Sequence, residues 1–252
     1  MDHEKTIQGV ERINLLRVPM DILMEEDLER VVRQLIQRDT PNQIVLLTYS
    51  EFMKARRDPE RQRMLKEATL VLPTSRTLIR GAKFLKRAVP KRYMPFEFVI
   101  RLLGVLEMIN GSIYILGEKN RDLNISSSNL RDSFPGVQIV GRHHGYLSQT
   151  REDDVVKAMQ KTTPTLVLMG SGLKGKDRWY LRRKNELGAK FGLYCGECFK
   201  IFCGKTKKLS RKQWDSRGRA AMGFIKRPWK LFSLFSHLWF NLVLLVYRLR
   251  KL

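Results

Sequence analysis

Three short apolar segments, each ending in glycine, most constrain how this 252-residue chain can fold. They are 112–117, 137–141 and 165–170, and a helix-like pattern of polar and apolar residues follows each one. This alternation is typical of βαβ units, whose parallel strands are buried on both faces and therefore read as continuous apolar runs. The pattern predicts an α/β fold, with a Rossmann-like core of parallel strands and helices on both faces of the sheet.

The glycines at the ends of these segments mark the predicted ligand-binding edge. Sheets of this kind bind ligands at the carboxyl ends of their strands, where glycine lets the backbone approach a phosphate or a sugar. Glycine also serves tight turns that contact no ligand, and both uses stay open for each position. The substrate contacts predicted on this ground are Gly117, Gly141, Gly145, Gly170 and Gly172.

The first hundred residues contain further strand and helix patterns. Strands are predicted at short apolar runs, and helices where apolar residues recur every three or four positions. The run of basic residues over 76–92 fits either a solvated helix face or a surface that faces phosphate. In chain order the predicted elements are a strand or hairpin edge at 14–23, a helix at 25–37, a strand at 43–48, a helix at 56–68, a strand at 69–73 and a helix at 96–108.

The net charge of the chain is its least ordinary bulk property. Lysine and arginine number 48 against 25 aspartate and glutamate residues, which gives a formal charge of +23. Such a charge predicts an anionic partner. Nucleic acid, an anionic membrane surface and phosphorylated substrates all satisfy that requirement.

The cysteines and the N-terminus predict a reducing, cytoplasmic location. Three cysteines are an odd number without a disulfide framework. The segment Cys195-Gly-Glu-Cys198 could form half of a zinc site or a redox pair, but no fourth ligand follows at suitable spacing. A thioredoxin-type pair would follow the first strand, so we predict neither role. Residues 1–9 are polar and charged, unlike a signal or transit peptide.

The composition changes after residue 200. Eleven basic residues face a single acid over 200–230, and the next stretch, 231–247, contains no charged residue. A spanning helix needs about twenty apolar residues, so this stretch is short for that purpose. Basic flanks, aromatic residues and an apolar face are typical of a helix that lies in the interface of an anionic membrane. A core helix and a short spanning insertion stay open.

The chain resembles the WecG/TagA/CpsF family of bacterial glycosyltransferases over roughly residues 15–232, because six family motifs occur in the same order. The clearest match is Ile139-Val-Gly-Arg-His-His-Gly-Tyr146, for Ile-Val-Gly-x-x-His-Gly-Tyr. Next is Gly170-Ser-Gly-Leu-Lys-Gly-Lys-Asp-Arg-Trp179, for Gly-x-Gly-x-Pro-x-Gln-Glu-x-Trp. The weaker matches are 48–50 for Thr-Pro-Asn, 73–75 for Pro-Asp-Gly, 92–97 for Arg-Val-x-Gly-x-Asp and 116–118 for Leu-Gly-Gly.

The resemblance implies a hexosyltransferase of cell-envelope polysaccharide synthesis. The implied reaction moves an N-acetylhexosamine-type sugar, N-acetylmannosamine or its uronate class, from a UDP-sugar to an undecaprenyl-diphosphate-linked acceptor. It implies no metal and no other cofactor. The acids at 152–154 agree, because they fall at a predicted helix start, where they stabilise the helix dipole rather than bind Mg²⁺.

The resemblance also implies a peripheral location on the inner face of the cell membrane, where a basic tail reaches the lipid-linked acceptor. We therefore predict an α/β catalytic core over 1–204 and a basic, helical, membrane-associating appendage over 205–252. The tail residues matched to substrate binding are Arg217, Arg219 and Arg227.

The family's candidate general base is the aspartate of Pro-Asp-Gly, and this chain has Thr74 there. Threonine cannot act as a base near neutral pH. Glu51, Glu97 and Asp177 are the acids close to motif positions, and we predict Asp177 as the base because its motif is otherwise recognisable. Thr48 and Thr74 complete the predicted catalytic positions. The remaining predicted substrate-binding residues are Ser50, Arg92, His144, Tyr146 and Lys176.

Two other functions stay open at this point. Threonine in place of the family's aspartate fits a degenerate member that binds a sugar nucleotide or a lipid-linked sugar without turnover. Charge alone fits a nucleic-acid-binding protein, but the basic-aromatic motifs of the recognised modules are missing, and nucleic acid does not need the apolar helix beside the tail. The sequence leaves the exact sugar, the acceptor and the oligomeric state open, a homo-oligomer included.

Overall fold

The computed structural model describes residues 7–215 and 231–250. The strands in these residues are β1 (Glu11–Leu15), β2 (Val18–Ile22), β3 (Asn42–Leu47), β4 (Leu70–Pro73), β5 (Ser112–Leu116), β6 (Gln138–His143), β7 (Leu166–Met169) and β8 (Phe191–Tyr194). The helices are α1 (Leu28–Gln37), α2 (Tyr49–Ala55), α3 (Pro59–Glu67), α4 (Arg76–Phe84), α5 (Pro95–Met108), α6 (Asn120–Ser133), α7 (Gln149–Thr162), α8 (Asp177–Arg183), α9 (Gly196–Phe202), α10 (Arg211–Asp215) and α11 (Leu231–Leu249).

Six strands form one parallel sheet in the order β4-β3-β8-β7-β5-β6. The first two strands pair with each other as an antiparallel hairpin. The α/β fold with a Rossmann-like parallel core is confirmed. All six carboxyl ends lie at one edge, because parallel strands run in the same direction.

Helices cover both faces of the sheet, as the alternation along β5 illustrates. Ile113 and Ile115 pack into one apolar cluster with α1, α5, α6 and α9. Tyr114 and Leu116 point to the opposite face and pack with α7 and α8. Beside β3 and β4, that second face is covered by the hairpin, α2, α3, α4 and α11. The continuous apolar runs in the sequence therefore reflect burial on both sides.

The predicted charged helix over 56–68 is in fact preceded by a separate helix, α2, which the sequence reading missed. The boundary lies at Asp58, because a residue before proline disfavours the helical conformation while Pro59 fits the first turn of the next helix. The Asp58 carboxylate caps α3 by accepting the N–H groups of Glu60 at 3.0 Å and Arg61 at 3.2 Å. The helix α3 thus starts at Pro59, three residues later than the helix predicted over 56–68.

One face of α11 packs on the core and the other is exposed. Phe240 and Leu244 are buried, and the Phe240 ring meets the Phe52 ring edge-on with centroids 5.8 Å apart. Among the described helices, none combines the length and the apolar character that crossing a bilayer requires. The division of the chain at residue 204 stays a prediction. The exposed apolar side chains of α11 are Phe235, Leu238, Trp239, Leu242, Leu245, Val246 and Leu249.

The prediction that the cysteines carry no disulfide was wrong. Cys195 and Cys198 are joined, with their Cα atoms 5.5 Å apart, while Cys203 is free. Cys195 immediately precedes α9 and Cys198 lies in its first turn, so the helical geometry itself brings the two sulfur atoms together. A thioredoxin-type pair is expected only after the first strand, whereas this pair follows β8, near the middle of the sheet.

Candidate functional site

The carboxyl edge of the sheet collects most of the predicted site residues. The loops after the six strands meet there, and each contributes at least one polar or glycine residue. Arg92 comes from the segment before α5, and its Nε donates to the carbonyl of Thr74 at 3.0 Å. The predicted residues that follow strand ends are Thr48, Ser50, Thr74, Gly117, His144, Gly145, Tyr146, Gly170, Gly172 and Lys176.

Four of the predicted glycines pack against one another. Gly117 has a φ of 137°, and a Cβ at this position would lie 2.5 Å from the Cα of Gly170. A Cβ on Gly145 would lie 2.7 Å from the backbone of Gly172 and 2.9 Å from the Cα of Gly117. Side chains would force these loops apart, so glycine is required for the loops after β5, β6 and β7 to meet.

Gly141 does not follow its strand, as the sequence reading assumed. The strand β6 continues to His143, and Gly141 pairs with Tyr114 of β5. A Cβ at Gly141 would lie 2.3 Å from the Tyr114 ring. The predicted strand boundary was wrong because a glycine that makes room for a neighbouring ring looks, in sequence, like a strand end.

Glu118 is a site residue that the sequence reading missed. It is buried, it has a φ of 65°, and its Oε1 accepts the N–H of Ser171 at 2.8 Å and the hydroxyl of Ser171 at 2.5 Å. The carboxylate thereby ties the loop after β5 to the loop after β7. The signal was the glutamate at the last position of the 116–118 motif; its partner could not be read from the sequence.

Asp177 lies in a small polar pocket of about 140 Å³ between α2, α3 and the start of α8. Its Oδ1 is buried and accepts no hydrogen bond from the described residues. Burial, and next the charge of Glu51, raise the pKa of Asp177 to about 7. The other residues lining the pocket are Glu51, Lys54, Arg61, Met64, Gly175, Lys176 and Arg178.

Glu51 differs from Asp177 because its carboxylate is paired. Its Oε2 accepts from Arg61 at 2.5 Å, and its Oε1 accepts from Lys54 at 3.2 Å. Two carboxyl groups in one pocket therefore have different environments, one bound by cations and the other desolvated with an unpartnered Oδ1. Such a separation allows one of the pair to exchange a proton near neutral pH.

The two threonines make backbone contacts. Thr48 precedes α2, and its hydroxyl accepts the N–H of Glu51 at 3.2 Å. Thr74 is buried, and its hydroxyl donates to the carbonyl of Leu47 at 3.1 Å. Arg92, which binds the Thr74 carbonyl, also places its guanidinium 4.5 Å from the ring of Trp214 in α10. The Thr48 hydroxyl thus caps the start of α2, and the Thr74 hydroxyl ties the end of β4 to the end of β3.

The side chains of His144 and Tyr194 lie near the glycine loops. Burial, then the charges of His143 and Arg151, lower the pKa of His144, so its ring is neutral at pH 7. Its Nδ1 is buried and without a partner in the described part of the chain. At the end of β8, burial raises the pKa of Tyr194 to about 12, and the ammonium of Lys176 lies 5.5 Å from its ring centroid. Tyr194 was not among the predicted residues.

Comparison with known proteins assigns the chain to a family. Residues 13–252 match the profile of the family described as Glycosyl transferase WecG/TagA/CpsF. The chain belongs to this family. The matched residues include the parallel sheet, the loops at the carboxyl ends of its strands and the C-terminal helix α11.

Two curated relatives of this chain carry the same name, N-acetylglucosaminyldiphosphoundecaprenol N-acetyl-beta-D-mannosaminyltransferase. The protein of Staphylococcus aureus (strain MRSA252) is 19% identical over 145 residues, which are 58% of this chain and 56% of the relative. That of Bacillus spizizenii (strain ATCC 23059 / NRRL B-14472 / W23) is 19% identical over 155 residues, 62% and 60% of the two chains. The chain thus spans less than two thirds of either relative.

Some predicted residues of this family member fall elsewhere. Arg217, Arg219 and Arg227 lie outside the described residues. Glu97, in the first turn of α5, lines a separate small cleft. Glu152 accepts from Trp179 Nε1 and Arg183 Nε, both at 3.0 Å, which agrees with a structural role for the 152–154 acids. Within 7–215 and 231–250, no group of three or more His, Cys, Asp or Glu side chains could hold a metal ion.

Proposed function

We propose that this protein transfers an N-acetylhexosamine-type sugar, N-acetylmannosamine or its uronate class, from a UDP-sugar to an undecaprenyl-diphosphate-linked acceptor. Family membership and the names of the two relatives support the sugar and the acceptor. The observation that carries the proposal is the Asp177 pocket, where a carboxyl group with an unpartnered Oδ1 and a pKa of about 7 lies at the end of the loop after β7. The product would enter a cell-envelope polysaccharide.

The reaction requires a base and a means of stabilising the departing diphosphate. Ionised Asp177 takes the proton of the acceptor hydroxyl as that oxygen bonds to the anomeric carbon. The bond between the anomeric carbon and the diphosphate breaks, and UDP leaves with the electron pair. Lys176 and Arg92 are the cations that we assign to the diphosphate, since both stand at the sheet edge. No metal is assigned a role.

The appendage completes the proposal. The exposed apolar face of α11 and the charge of +23 support peripheral association with the inner face of an anionic cell membrane. In this arrangement the lipid-linked acceptor reaches the sheet edge from the bilayer surface. We assign Arg217, Arg219 and Arg227 to the acceptor's diphosphate on the basis of the family resemblance.

A second candidate is favoured by one observation, the bonding of Thr74. The family's aspartate position holds a buried hydroxyl that already donates to Leu47, so it cannot take a proton from the acceptor. If no other group replaces that base, the protein would bind the sugar nucleotide or the lipid-linked sugar at the membrane without turnover. The two candidates make opposite predictions for transfer and the same prediction for binding.

Transfer from a panel of UDP-N-acetylhexosamines and their uronates to a lipid-diphosphate-GlcNAc acceptor separates the candidates. Wild-type protein is compared with Asp177→Asn and Thr74→Asp, and UDP binding is measured by calorimetry on all three. Wild-type turnover that Asp177→Asn abolishes, with UDP binding kept, supports the enzyme. Wild-type silence with turnover gained in Thr74→Asp supports the degenerate member. Absence of both UDP binding and transfer contradicts both candidates.

A further inference from the structure

An open groove of about 810 Å³ runs between α2 and α11 and starts at the residues that follow β3. We call it the α2–α11 groove. Its volume lies within the roughly 300–1,000 Å³ that is common for sites of small organic ligands. It is lined by Tyr49, Ser50, Met53, Lys54, Arg57, Phe235, Ser236, His237, Leu238, Trp239 and Leu242.

The wall that α11 contributes is apolar and uncovered. Phe235, Leu238, Trp239 and Leu242 expose between 50% and 69% of their surface, and no described part of the chain packs over them. Met53 faces them from α2. A contiguous apolar surface of this kind marks a binding site for an apolar group, because exposing it to water is unfavourable.

The α2 wall adds two cations to the same groove. Lys54 and Arg57 line it, and both side chains are exposed. Lys54 pairs with Glu51 at 3.2 Å, whereas Arg57 has no ion-pair partner among the described residues. A ligand that fits both walls has a long apolar part and an anionic part. An isoprenoid diphosphate has this composition, and its charge complements that of Lys54 and Arg57.

The groove is also fixed in position relative to the sheet edge. The hydroxyl of Tyr49 donates to the carbonyl of Ser236 at 2.7 Å, and its ring lies 4.3 Å from the His237 ring. These contacts hold α11 against the first turn of α2, directly after Thr48. Lys54 lines both this groove and the Asp177 pocket, so a diphosphate that faces Lys54 lies beside that pocket.

We propose that the α2–α11 groove binds the first part of the acceptor's isoprenoid chain, with Lys54 and Arg57 facing its diphosphate in addition to the three tail arginines assigned above. This inference rests on the proposed function, and it adds the place where the acceptor lipid is recognised. Contact with the bilayer alone would use the whole exposed face of α11, including Leu245 and Leu249, which lie outside the groove. Substitutions inside and outside the groove should therefore have different effects on lipid binding, whereas contact with the bilayer alone would make their effects equal.

Binding of farnesyl diphosphate, a soluble isoprenoid diphosphate, tests the groove without a membrane and without turnover. The full chain is titrated in detergent-free buffer below the ligand's micelle concentration. Leu242→Gln is the test variant and Leu245→Gln the control, because the two leucines are 52% and 47% exposed on the same helix and only Leu242 lines the groove. We expect Leu242→Gln to raise Kd about tenfold and Leu245→Gln to change it less than about twofold.

Inorganic diphosphate is the second probe, and Arg57→Gln is the second variant. We expect inorganic diphosphate to bind more weakly than farnesyl diphosphate by at least about tenfold, because it leaves the apolar wall unused. Arg57→Gln should weaken the binding of both probes. Equal effects of the two leucine variants, or equal affinity for the two probes, would overturn the proposal.

The failure of this inference can be told apart from failure of the proposed function. If the protein transfers sugar but its KM is the same for acceptors with a methyl and a farnesyl group on the diphosphate, the groove proposal fails and the transferase stands. If farnesyl diphosphate binds and Leu242→Gln weakens it, but no sugar is transferred, the groove stands and the transferase fails.

Discussion

Asp177 has an environment that opposes its ionisation. Its Oδ1 is buried without a partner, and the nearby Glu51 carboxylate adds repulsion. The pKa in the folded protein, about 7, therefore lies above the ordinary value of 3.8. The folded state holds this proton more tightly than the unfolded state does. Asp177 thus contributes stability that is complete below the unfolded pKa and is lost as pH rises toward the folded pKa.

Asp177→Asn is expected to remove this loss of stability at high pH. The amide resembles the protonated carboxyl group and cannot ionise, so the variant should exceed the wild type in free energy of unfolding by about 1–3 kcal/mol near pH 8. Near pH 5 the difference should be much smaller. Urea unfolding at both pH values measures it, with Asp153→Asn, at an exposed carboxylate of α7, as the control. A difference that does not change with pH would contradict the assigned burial of Asp177.

At the scale of elements, the site depends on loops that touch through glycine. Gly117→Ala places a methyl group within 2.5 Å of Gly170 and forces alanine into a φ of 137°. We expect a loss of about 2–4 kcal/mol in the free energy of unfolding, and weaker UDP binding because the loops separate. Gly104→Ala, in the middle of α5 with no atom within 4 Å of the added Cβ, should instead stabilise by up to about 1 kcal/mol. Equal effects would exclude a packing role for Gly117.

The elements differ in how well the sequence predicts them. Buried strands such as β5 and β7 were predictable, because burial on both faces leaves a run of apolar residues. The short helix α2 was not, since one buried turn carries too little periodicity to be distinguished from a loop. The insertion of β8 between β3 and β7 was also hidden, because strand order depends on contacts between segments far apart in sequence.

The same limit applies to the site residues. Motif order led to the prediction of Asp177, and strand ends led to that of the loop glycines, because both are local features of the sequence. The pairing of Glu118 with Ser171 spans 53 positions, and no local pattern predicts it. The Cys195–Cys198 disulfide was not predicted, because a redox pair was expected only after the first strand. The feature that brings the two sulfur atoms together is the start of α9, which can follow any strand.

At the scale of the whole molecule, we expect the charge and the exposed face of α11 to contribute together to binding of an anionic membrane. Binding to vesicles of anionic phospholipid should fall at least about tenfold when salt rises from 0.1 M to 1 M, because the Debye length shortens from about 10 Å to about 3 Å. The exposed apolar face should leave residual binding that salt does not remove. Sedimentation with anionic and zwitterionic vesicles measures both parts. Equal binding to the two vesicle types would contradict the electrostatic part.

If Asp177 is the base of a glycosyl transfer, the pH dependence of kcat/KM must follow its ionisation. Wild-type transfer to a lipid-diphosphate-GlcNAc acceptor should rise as pH increases through about 7, where Asp177 ionises. Asp177→Asn should be at least about 100-fold slower and should lack that rise. A variant that keeps the wild-type rate and the same pH profile would contradict the claim, and the base would have to be sought elsewhere.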